Sequence, residues 1–467
     1  MRKVLLLLLA TATLASCKSS KKGKAGKPGV QGEIVATQQS QKWNNKKPYG
    51  MVPIPGGAFV LGQADMDFSG SVGKAPLTTV TVSAFYMDDT EVTNAEYREF
   101  IKYVKDSIAR TRLAERADQE GEEGIGRYAF LNKKSESEQN AYQQMLEERG
   151  GREGYDESKK LDWSVPLEWR TANYPDVAYA EVMESMYYPP EERFNNERVI
   201  DPRKLIYQFT WIDQLEAVKK KGRGESFLKR EEIAIYPDTT VWLRDFNYSF
   251  NEPLFEQYFW HKAYSKYPVV GVTWDQARAF CAYSTKSKND YNQSRKKKIE
   301  KVFPYRLPSE VEWEYAARGG LENASYPWGG PYLIDDRGCY LANFKPKRGD
   351  YMEGEKGFLY TAPVKSFQKN GFGLYDMAGN VSEWTVSAFN NSSYIISSTL
   401  NPYLGNRIED PRKVIKGGSW KDIGYMLMVS ERDWEHKDSA RSYIGFRRVQ
   451  TIPEGSNVKF PKIKKLQ

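Results

Sequence analysis

The chain has 467 residues, of which 40% are hydrophobic and 14% aromatic, and its formal net charge is +8. That length suffices for one large domain or two medium ones. The chain has only two histidines, His261 and His436, far apart in sequence, which argues against a histidine-based metal site or a Ser-His-Asp triad. No nucleic-acid recognition motif accompanies the basic clusters. We therefore predict no nucleic-acid partner and favour an anionic lipid or an acidic protein.

The N-terminus has the features of an export signal. Residues 1–3 are basic at positions 2 and 3, residues 4–10 are apolar, and residues 14–17 read Leu-Ala-Ser-Cys. The apolar run is too short to cross a bilayer and predicts a processed leader. Leu-Ala-Ser-Cys resembles the lipobox of bacterial lipoproteins, and that resemblance implies cleavage before Cys17 and acylation of its thiol. The alternative is an ordinary secretory signal with an incidental cysteine.

The lipobox resemblance also implies a destination. Lys18 and Ser19 lack the aspartate that commonly retains such lipoproteins in the inner membrane, so we expect an outer-membrane anchor, with the body facing the periplasm. Residues 18–31 are rich in Lys, Gly and Ser and have little to bury, which predicts a flexible basic tether. We predict four segments along the chain: a signal peptide (1–16), a lipidated N-terminus with a linker (17–47), a folded domain (48–455) and a basic tail (456–467).

The folded domain begins with short apolar runs separated by Gly, Pro and Asn. Strands are predicted at 54–62 (after a turn), 79–87 and 267–274, and helices at 95–103 and 275–283. Thr90, Thr93 or Asn94 is expected to cap the first of these helices. Ser309 and Glu312 have the spacing of a capping box. The helix that follows should place three apolar side chains on one face, those of Trp313, Ala316 and Ala317.

Eight blocks along this domain resemble the formylglycine-generating enzymes, also called sulfatase-modifying factors. They occur in the family order and read IPGGAFVLG (54–62), EVTNAEYREF (91–100), YPVVGVTWDQARAFCAY (267–283), RLPSEVEWEYAARGG (306–320), YPWGG (326–330), GFGLYDMAGNVSEWT (371–385), KGGSW (416–420) and IGFRRV (444–449). The resemblance implies an α+β fold related to C-type lectins, with little regular secondary structure.

Two insertions interrupt the family pattern. The longer, at about 102–266, is charged and aromatic, and its residues 135–149 look helical. We expect its aromatic pairs at 162–163, 169–170 and 260–261 to pack on the core; the alternative is a surface for self-assembly or a partner. The shorter insertion, at about 284–303, is basic and is expected to be a solvated loop.

The family's enzymes oxidise a cysteine of a client sulfatase, with copper held by two cysteines that follow the KGGS block. Alignment from Ser419 places Asp422 and Leu427 at those two positions, and no cysteine follows Cys339. Cu(I) prefers soft thiolate ligands, so we expect no copper and no enzyme activity. Cys281 and Cys339 remain either a disulfide pair or two thiols.

Calcium is the second metal that the resemblance implies. The family's site in the LYD-MAGNVSEW turn maps onto Asp376, Gly379, Val381 and Glu383, with backbone carbonyls from the middle two. Oxygen ligands at such close spacing suit a hard cation, so we expect a structural Ca²⁺ there. The alternative is a turn in which the two acids only accept backbone hydrogen bonds. The family's other calcium position would use Asn343 and Phe344 with an acid where this chain has Lys356. We expect that position to be lost unless the neighbouring Glu355 supplies the acid.

A lipid-anchored and catalytically inactive member of this family resembles the GldK/PorK-type lipoproteins of gliding motility and type IX protein secretion. That resemblance implies a non-catalytic component of a periplasmic ring, made of many copies of the chain with a GldN/PorN-like partner protein. Copies arranged head to tail would close the ring through heterologous interfaces. Two alternatives stay open: a lectin-like binding lipoprotein, and a divergent enzyme of the sulfatase-modifying-factor family.

Overall fold

The computed structural model describes residues 47–62, 76–120, 123–126, 128, 161–212, 228–245, 257–295, 301–346, 357–390, 392–396, 398–402, 410–453 and 458–461. The predicted leader, Cys17, most of the linker and the predicted helix at 135–149 lie outside these residues. Lys46–Ile452 and Val458–Gln467 belong to one compact unit. No helix in the described ranges is long and apolar enough to span a bilayer.

The described residues contain twelve strands and seven α-helices. The strands are β1 (Met51–Ile54), β2 (Gly57–Leu61), β3 (Thr78–Val82), β4 (Phe85–Asp88), β5 (Ile206–Ile212), β6 (Leu228–Ala234), β7 (Tyr305–Arg306), β8 (Ser382–Ala388), β9 (Arg412–Lys416), β10 (Asp433–His436), β11 (Ile444–Gly445) and β12 (Val449–Thr451). The helices are α1 (Asn94–Glu120), α2 (Glu123–Gly126), α3 (Val177–Glu184), α4 (Val241–Asp245), α5 (Trp274–Ser294), α6 (Glu310–Arg318) and α7 (Ser393–Ile396).

Among these residues the strands form two four-stranded sheets and two antiparallel pairs. The first sheet has the order β1-β4-β12-β7, so strands from both ends of the domain lie side by side. The second sheet has the order β10-β9-β8-β11, in which only the β11–β8 pairing is parallel. The predicted strand at 79–87 is two strands, β3 and β4, while β2 confirms the strand expected within 54–62. Both sheets border the main apolar cores. Helices and strands do not alternate regularly along the chain, so the fold is α+β.

Helix α1 begins where the sequence predicts and ends much later. The N–H of Thr93 donates to Glu96 Oε2 at 2.8 Å and the N–H of Glu96 donates to Thr93 Oγ1 at 3.3 Å, which is a capping box. The helix then continues past the predicted end at 103 to Glu120. Its first half buries Phe100 in the main core, and its second half buries Leu113 in a separate core. The longer predicted insertion therefore begins inside a helix.

The predicted strand at 267–274 was wrong. This segment has only an isolated bridge, between Pro268 and Thr93. Proline has no N–H to donate to a strand ladder. Gly271 adopts a left-handed conformation with φ of 74°, and a Cβ there would lie 2.3 Å from Asp238 O. The chain turns at this glycine and cannot continue as a strand.

Helix α5 corrects the expectation for the shorter insertion. Thr273 and Gln276 form its capping box, and the helix runs beyond the predicted end at 283 to Ser294. Residues 284–294 of the insertion are thus helical and not a solvated loop. In α6 the prediction was confirmed, since Ser309 and Glu312 form the capping box and the Trp313 face is fully buried.

The longer insertion packs on the fold through its aromatic residues. Trp163 stacks on Tyr103 of α1 at 4.9 Å between ring centroids. Lys105 Nζ lies 3.8 Å from the Trp169 ring centroid, and Trp260 Nε1 donates to the Tyr236 hydroxyl at 2.6 Å. The expectation that these aromatics pack on the core is confirmed for Trp169, which packs against the main core cluster. Trp163 and Trp260 are 44% and 47% exposed and contact residues of the insertion itself. Helix α3 and the second half of α1 share a further small core.

Candidate functional site

The segment after β9 contains the two positions at which the family resemblance expects copper-binding cysteines. Gly418 has φ of 65°, and a Cβ there would lie 2.7 Å from Met426 O, so the turn folds tightly onto the short helix Gly424–Leu427. Asp422 Oδ2 accepts from Ser419 N at 3.0 Å and from Ser419 Oγ at 2.6 Å. Its Oδ1 pairs with Lys421 Nζ at 2.7 Å. The Asp422 carboxylate therefore stabilises the turn.

Leu427, at the other position, is a core residue. It is fully buried, in a cluster with Tyr326, Ala342, Phe344 and Ala378. A leucine packed in this way offers no electron pair to a metal, and removing it would leave a cavity among aromatic rings. Both positions thus carry side chains that hold the local structure together.

A buried ion pair connects β8 of the second sheet with the segment between β11 and β12, which leads into the first sheet. Glu383 lies on β8, and Arg447 lies between β11 and β12. Both residues are 0% exposed. Arg447 Nε donates to Glu383 Oε2 at 2.7 Å and its NH2 group donates to Oε1 at 2.5 Å. Trp313 Nε1 also donates to Glu383 Oε2, at 2.7 Å. The bidentate geometry and the complete burial make this a strong structural pair.

Two further carboxylates lie close enough to Arg447 to interact with its charge. Asn380 Nδ2 donates to Glu91 Oε1 at 2.9 Å, and the N–H of Lys365 donates to Asp376 Oδ2 at 2.8 Å. The remaining oxygens, Glu91 Oε2 and Asp376 Oδ1, are buried without a hydrogen-bond partner. Burial raises the pKa of Asp376 to about 6. Burial, and after it the charge of Asp376, raise the pKa of Glu91 well above its usual range.

The expected calcium ligands lie in this region, but only one of them presents an unused carboxylate oxygen. Asp376 offers its buried Oδ1, whereas both oxygens of Glu383 accept from Arg447. The two middle positions, Gly379 and Val381, would contribute backbone carbonyls. A calcium ion that used Glu383 would have to compete with Arg447 for its carboxylate oxygens. Calcium at this turn stays a prediction.

The other residues that the sequence analysis named include three cysteines and a histidine. Cys17 lies outside the described residues. Cys281 and Cys339 are both free thiols, and burial raises the pKa of Cys281 to about 12. His261 Nδ1 accepts from the N–H of Ala263 as a helix cap. Within the described ranges, no group of three or more His, Cys, Asp or Glu side chains is arranged to hold a metal ion.

Sequence reasoning missed the polar centre around Arg447. Glu91, Asn380 and Arg447 all lie in blocks that carry the family resemblance, yet none was singled out. A signal was available, because each is a charged or amide residue within or beside a short apolar run. Buried polar residues of this kind need partners, and the partners come from distant blocks.

Two sheets of short strands, a capped α6 and a buried polar centre define an α+β domain that is built largely from turns. The chain belongs to the Sulfatase-modifying factor enzyme 1-like domain family, which matches residues 36–452.

Two relatives and one solved structure are similar to this chain. The Formylglycine-generating enzyme of Thermomonospora curvata is 34% identical over 414 residues, covering 85% of this chain and 92% of that enzyme. The bovine Inactive C-alpha-formylglycine-generating enzyme 2 is 26% identical over 417 residues, covering 87% of this chain and 91% of that protein. Among solved structures, PvdO from Pseudomonas aeruginosa has a TM-score of 0.44 and 16% identity, covering 86% of this chain and 94% of PvdO. The family thus includes enzymes and a relative named inactive.

Proposed function

We propose that this protein is a non-catalytic member of its family that serves as a structural component at the bacterial outer membrane. The observation that carries the proposal is the turn after β9. Where the resemblance expects two thiolates, Asp422 bonds Ser419 and Leu427 is buried among aromatic side chains. A relative named inactive supports the view that this fold is used without the oxidation chemistry.

The absence of catalysis is tested directly by reconstitution. The purified full chain is incubated with Cu(I), oxygen and a peptide that carries the sulfatase cysteine motif, and aldehyde formation is measured by mass spectrometry. The Thermomonospora curvata enzyme, treated identically, is the positive control. We expect no aldehyde from this chain and no tight copper binding at Asp422 or Leu427. Turnover above that of free copper would overturn the proposal.

The finer proposal concerns location and assembly. Acylation of Cys17 would hold the chain on the outer membrane, because two or three acyl chains bind a bilayer firmly. We propose that copies assemble in the periplasm into a ring of the type IX secretion and gliding-motility machinery, with a GldN/PorN-like partner. The described part of the insertion supports this, since it exposes Phe194 at 81% and Val177 at 76%. An exposed apolar patch is typical of an interface, and these two side chains are candidates for one.

The assembly state is the informative measurement for this finer proposal. Full chain extracted in mild detergent is imaged by electron microscopy after affinity purification from its native cell. Rings that contain a second protein in fixed ratio are the expected result. A monodisperse monomer without a co-purifying protein would refute the ring, and glycan binding by that monomer would favour a lectin-like role.

Calcium binding is proposed as a structural accessory, supported by the unpartnered Asp376 Oδ1. The test compares thermal unfolding of the full chain in calcium and in excess chelator, with Asp376→Asn as the control. A higher melting temperature in calcium that disappears in Asp376→Asn is expected. If calcium leaves the melting temperature unchanged, the calcium proposal is wrong.

A further inference from the structure

Three separate parts of the chain meet beside the first sheet. Val458, from the C-terminal segment, packs with Met51 of β1, Tyr86 of β4 and Tyr305 of β7. The start of the described chain, the segment before β7 and the C-terminal segment are therefore neighbours.

The C-terminal end of α5 belongs to the same region. The N–H of Tyr305 donates to Thr285 Oγ1 at 2.9 Å, and the N–H of Val302 donates to Asn289 Oδ1 at 2.8 Å. These two bonds fix the last turns of α5 against the segment that leads into β7.

This region exposes aromatic rings among cations. Tyr291 on α5 is 53% exposed, and both Lys288 Nζ, at 5.3 Å, and Arg295 Cζ, at 5.2 Å, approach its ring centroid. Tyr49 is 100% exposed and Phe460 is 39% exposed. We call the following residues the basic aromatic face: Tyr49, Lys288, Tyr291, Arg295, Lys301 and Phe460.

Charge on this face is predominantly positive. The nearby acids Asp290 and Asp89 are each paired, with Lys286 at 3.0 Å and Lys365 at 2.8 Å respectively. Lys288, Arg295 and Lys301 carry the excess charge, and the adjoining sequence is also basic. Residues 296–298 are all lysine, and residues 459–465 include four lysines.

We propose that the basic aromatic face lies on the surface of an anionic phospholipid bilayer. Tyrosine and phenylalanine suit the boundary between headgroups and acyl chains, and clustered Lys and Arg attract anionic headgroups. Met51, which packs with Val458, follows the end of the predicted linker at 47 by only four residues, so an acyl anchor on Cys17 would bring the face toward the membrane. The inference rests on the proposed lipid anchor, and it makes the orientation of the body on the membrane specific.

The test uses the full lipidated chain in nanodiscs, made either of phosphatidylcholine alone or of phosphatidylcholine with phosphatidylglycerol. Hydrogen–deuterium exchange is measured for peptides covering 286–305 and 457–467. We expect slower exchange of both peptides in the anionic discs only. The triple variant Lys288→Glu, Arg295→Glu and Lys301→Glu should lose this protection.

A matched control reverses the same charge elsewhere on the surface. The variant Arg170→Glu, Arg230→Glu and Arg337→Glu changes three exposed arginines and should keep the protection. Equal exchange in both disc types would overturn the inference, and so would protection that grows with protein concentration, which would indicate a contact between copies. Inorganic phosphate that produces the same protection in neutral discs would instead show a small-anion site and would also overturn it.

The anchor and the face fail in distinguishable ways. A chain that co-elutes with both disc types but shows no lipid-dependent protection retains the anchor and loses the inference. A chain that co-elutes only with anionic discs, and not with neutral ones, supports the face and removes the acyl anchor.

Discussion

Replacing Arg447 with methionine tests whether the buried ion pair organises the polar centre. The change removes both bonds to Glu383 and those that the guanidinium donates to Asp88 O at 3.2 Å and Tyr375 O at 3.1 Å. It also leaves Glu383, which is buried, with a negative charge and only Trp313 as its remaining side-chain donor. Removing one partner of a buried pair typically costs about 3–5 kcal/mol.

The loss of stability in Arg447→Met is compared with the loss caused by breaking an ion pair on the surface. Lys286 pairs with Asp290 one helical turn away, and both side chains are about half exposed. Lys286→Met should lower the free energy of unfolding by only about 0.5 kcal/mol, because exposed pairs on a helix are weak. Arg447→Met should therefore exceed this control by at least about 2 kcal/mol.

Urea unfolding followed by tryptophan fluorescence provides the measurement. If Arg447→Met fails to fold, the double variant Glu383→Gln with Arg447→Met keeps the idea testable. It carries no unpaired charge at Glu383 and should be more stable than Arg447→Met alone. The reasoning is refuted if Arg447→Met and Lys286→Met differ by less than about 1 kcal/mol, or if the double variant is the less stable of the two Arg447 variants.

Three other predictions concern the turns and a buried lysine. Gly379→Ala should destabilise the protein by clearly more than Gly338→Ala in thermal unfolding: both glycines have positive φ, but a Cβ at Gly379 would lie 2.3 Å from Asn343 O, while one at Gly338 meets nothing within 4 Å. Equal losses of stability would show that the backbone around Gly379 shifts to accept a Cβ. Leu427→Ala should cost about 2–5 kcal/mol in urea unfolding, because it opens a cavity in a packed cluster; a loss below about 1 kcal/mol would mean that the cluster collapses around it. Burial lowers the pKa of Lys413 to about 8. Between pH 8 and the ordinary pKa of lysine, the unfolded chain therefore binds a proton that the folded chain does not. Over that interval Lys413 makes the free energy of unfolding rise with pH. Stability curves of the protein and of Lys413→Met should therefore converge as pH rises above 8, and parallel curves would refute the shift.

The local elements were largely predictable from sequence. The capping boxes at Ser309 and Thr93 depend on side chains three residues apart, so a short window contains all the information they need. Helix ends were less predictable. The later turns of α1 pack on apolar residues of the longer insertion, and those of α5 accept hydrogen bonds from the segment that leads into β7. Tertiary packing, and not local propensity, decides where such helices stop.

The sequence by itself determined the family resemblance, the lipobox-like start and the residues Asp422 and Leu427 in place of the expected thiols. Only the tertiary structure decided what those residues do and which polar groups meet. Glu91, Asp376 and Glu383 approach Arg447 from separate segments, brought together by the pairing of β4 with β12 and of β8 with β11. Such pairings depend on contacts far apart along the chain, and no local pattern records them. For the same reason, the neighbourhood of α5, β7 and the C-terminal segment became visible only in the folded chain.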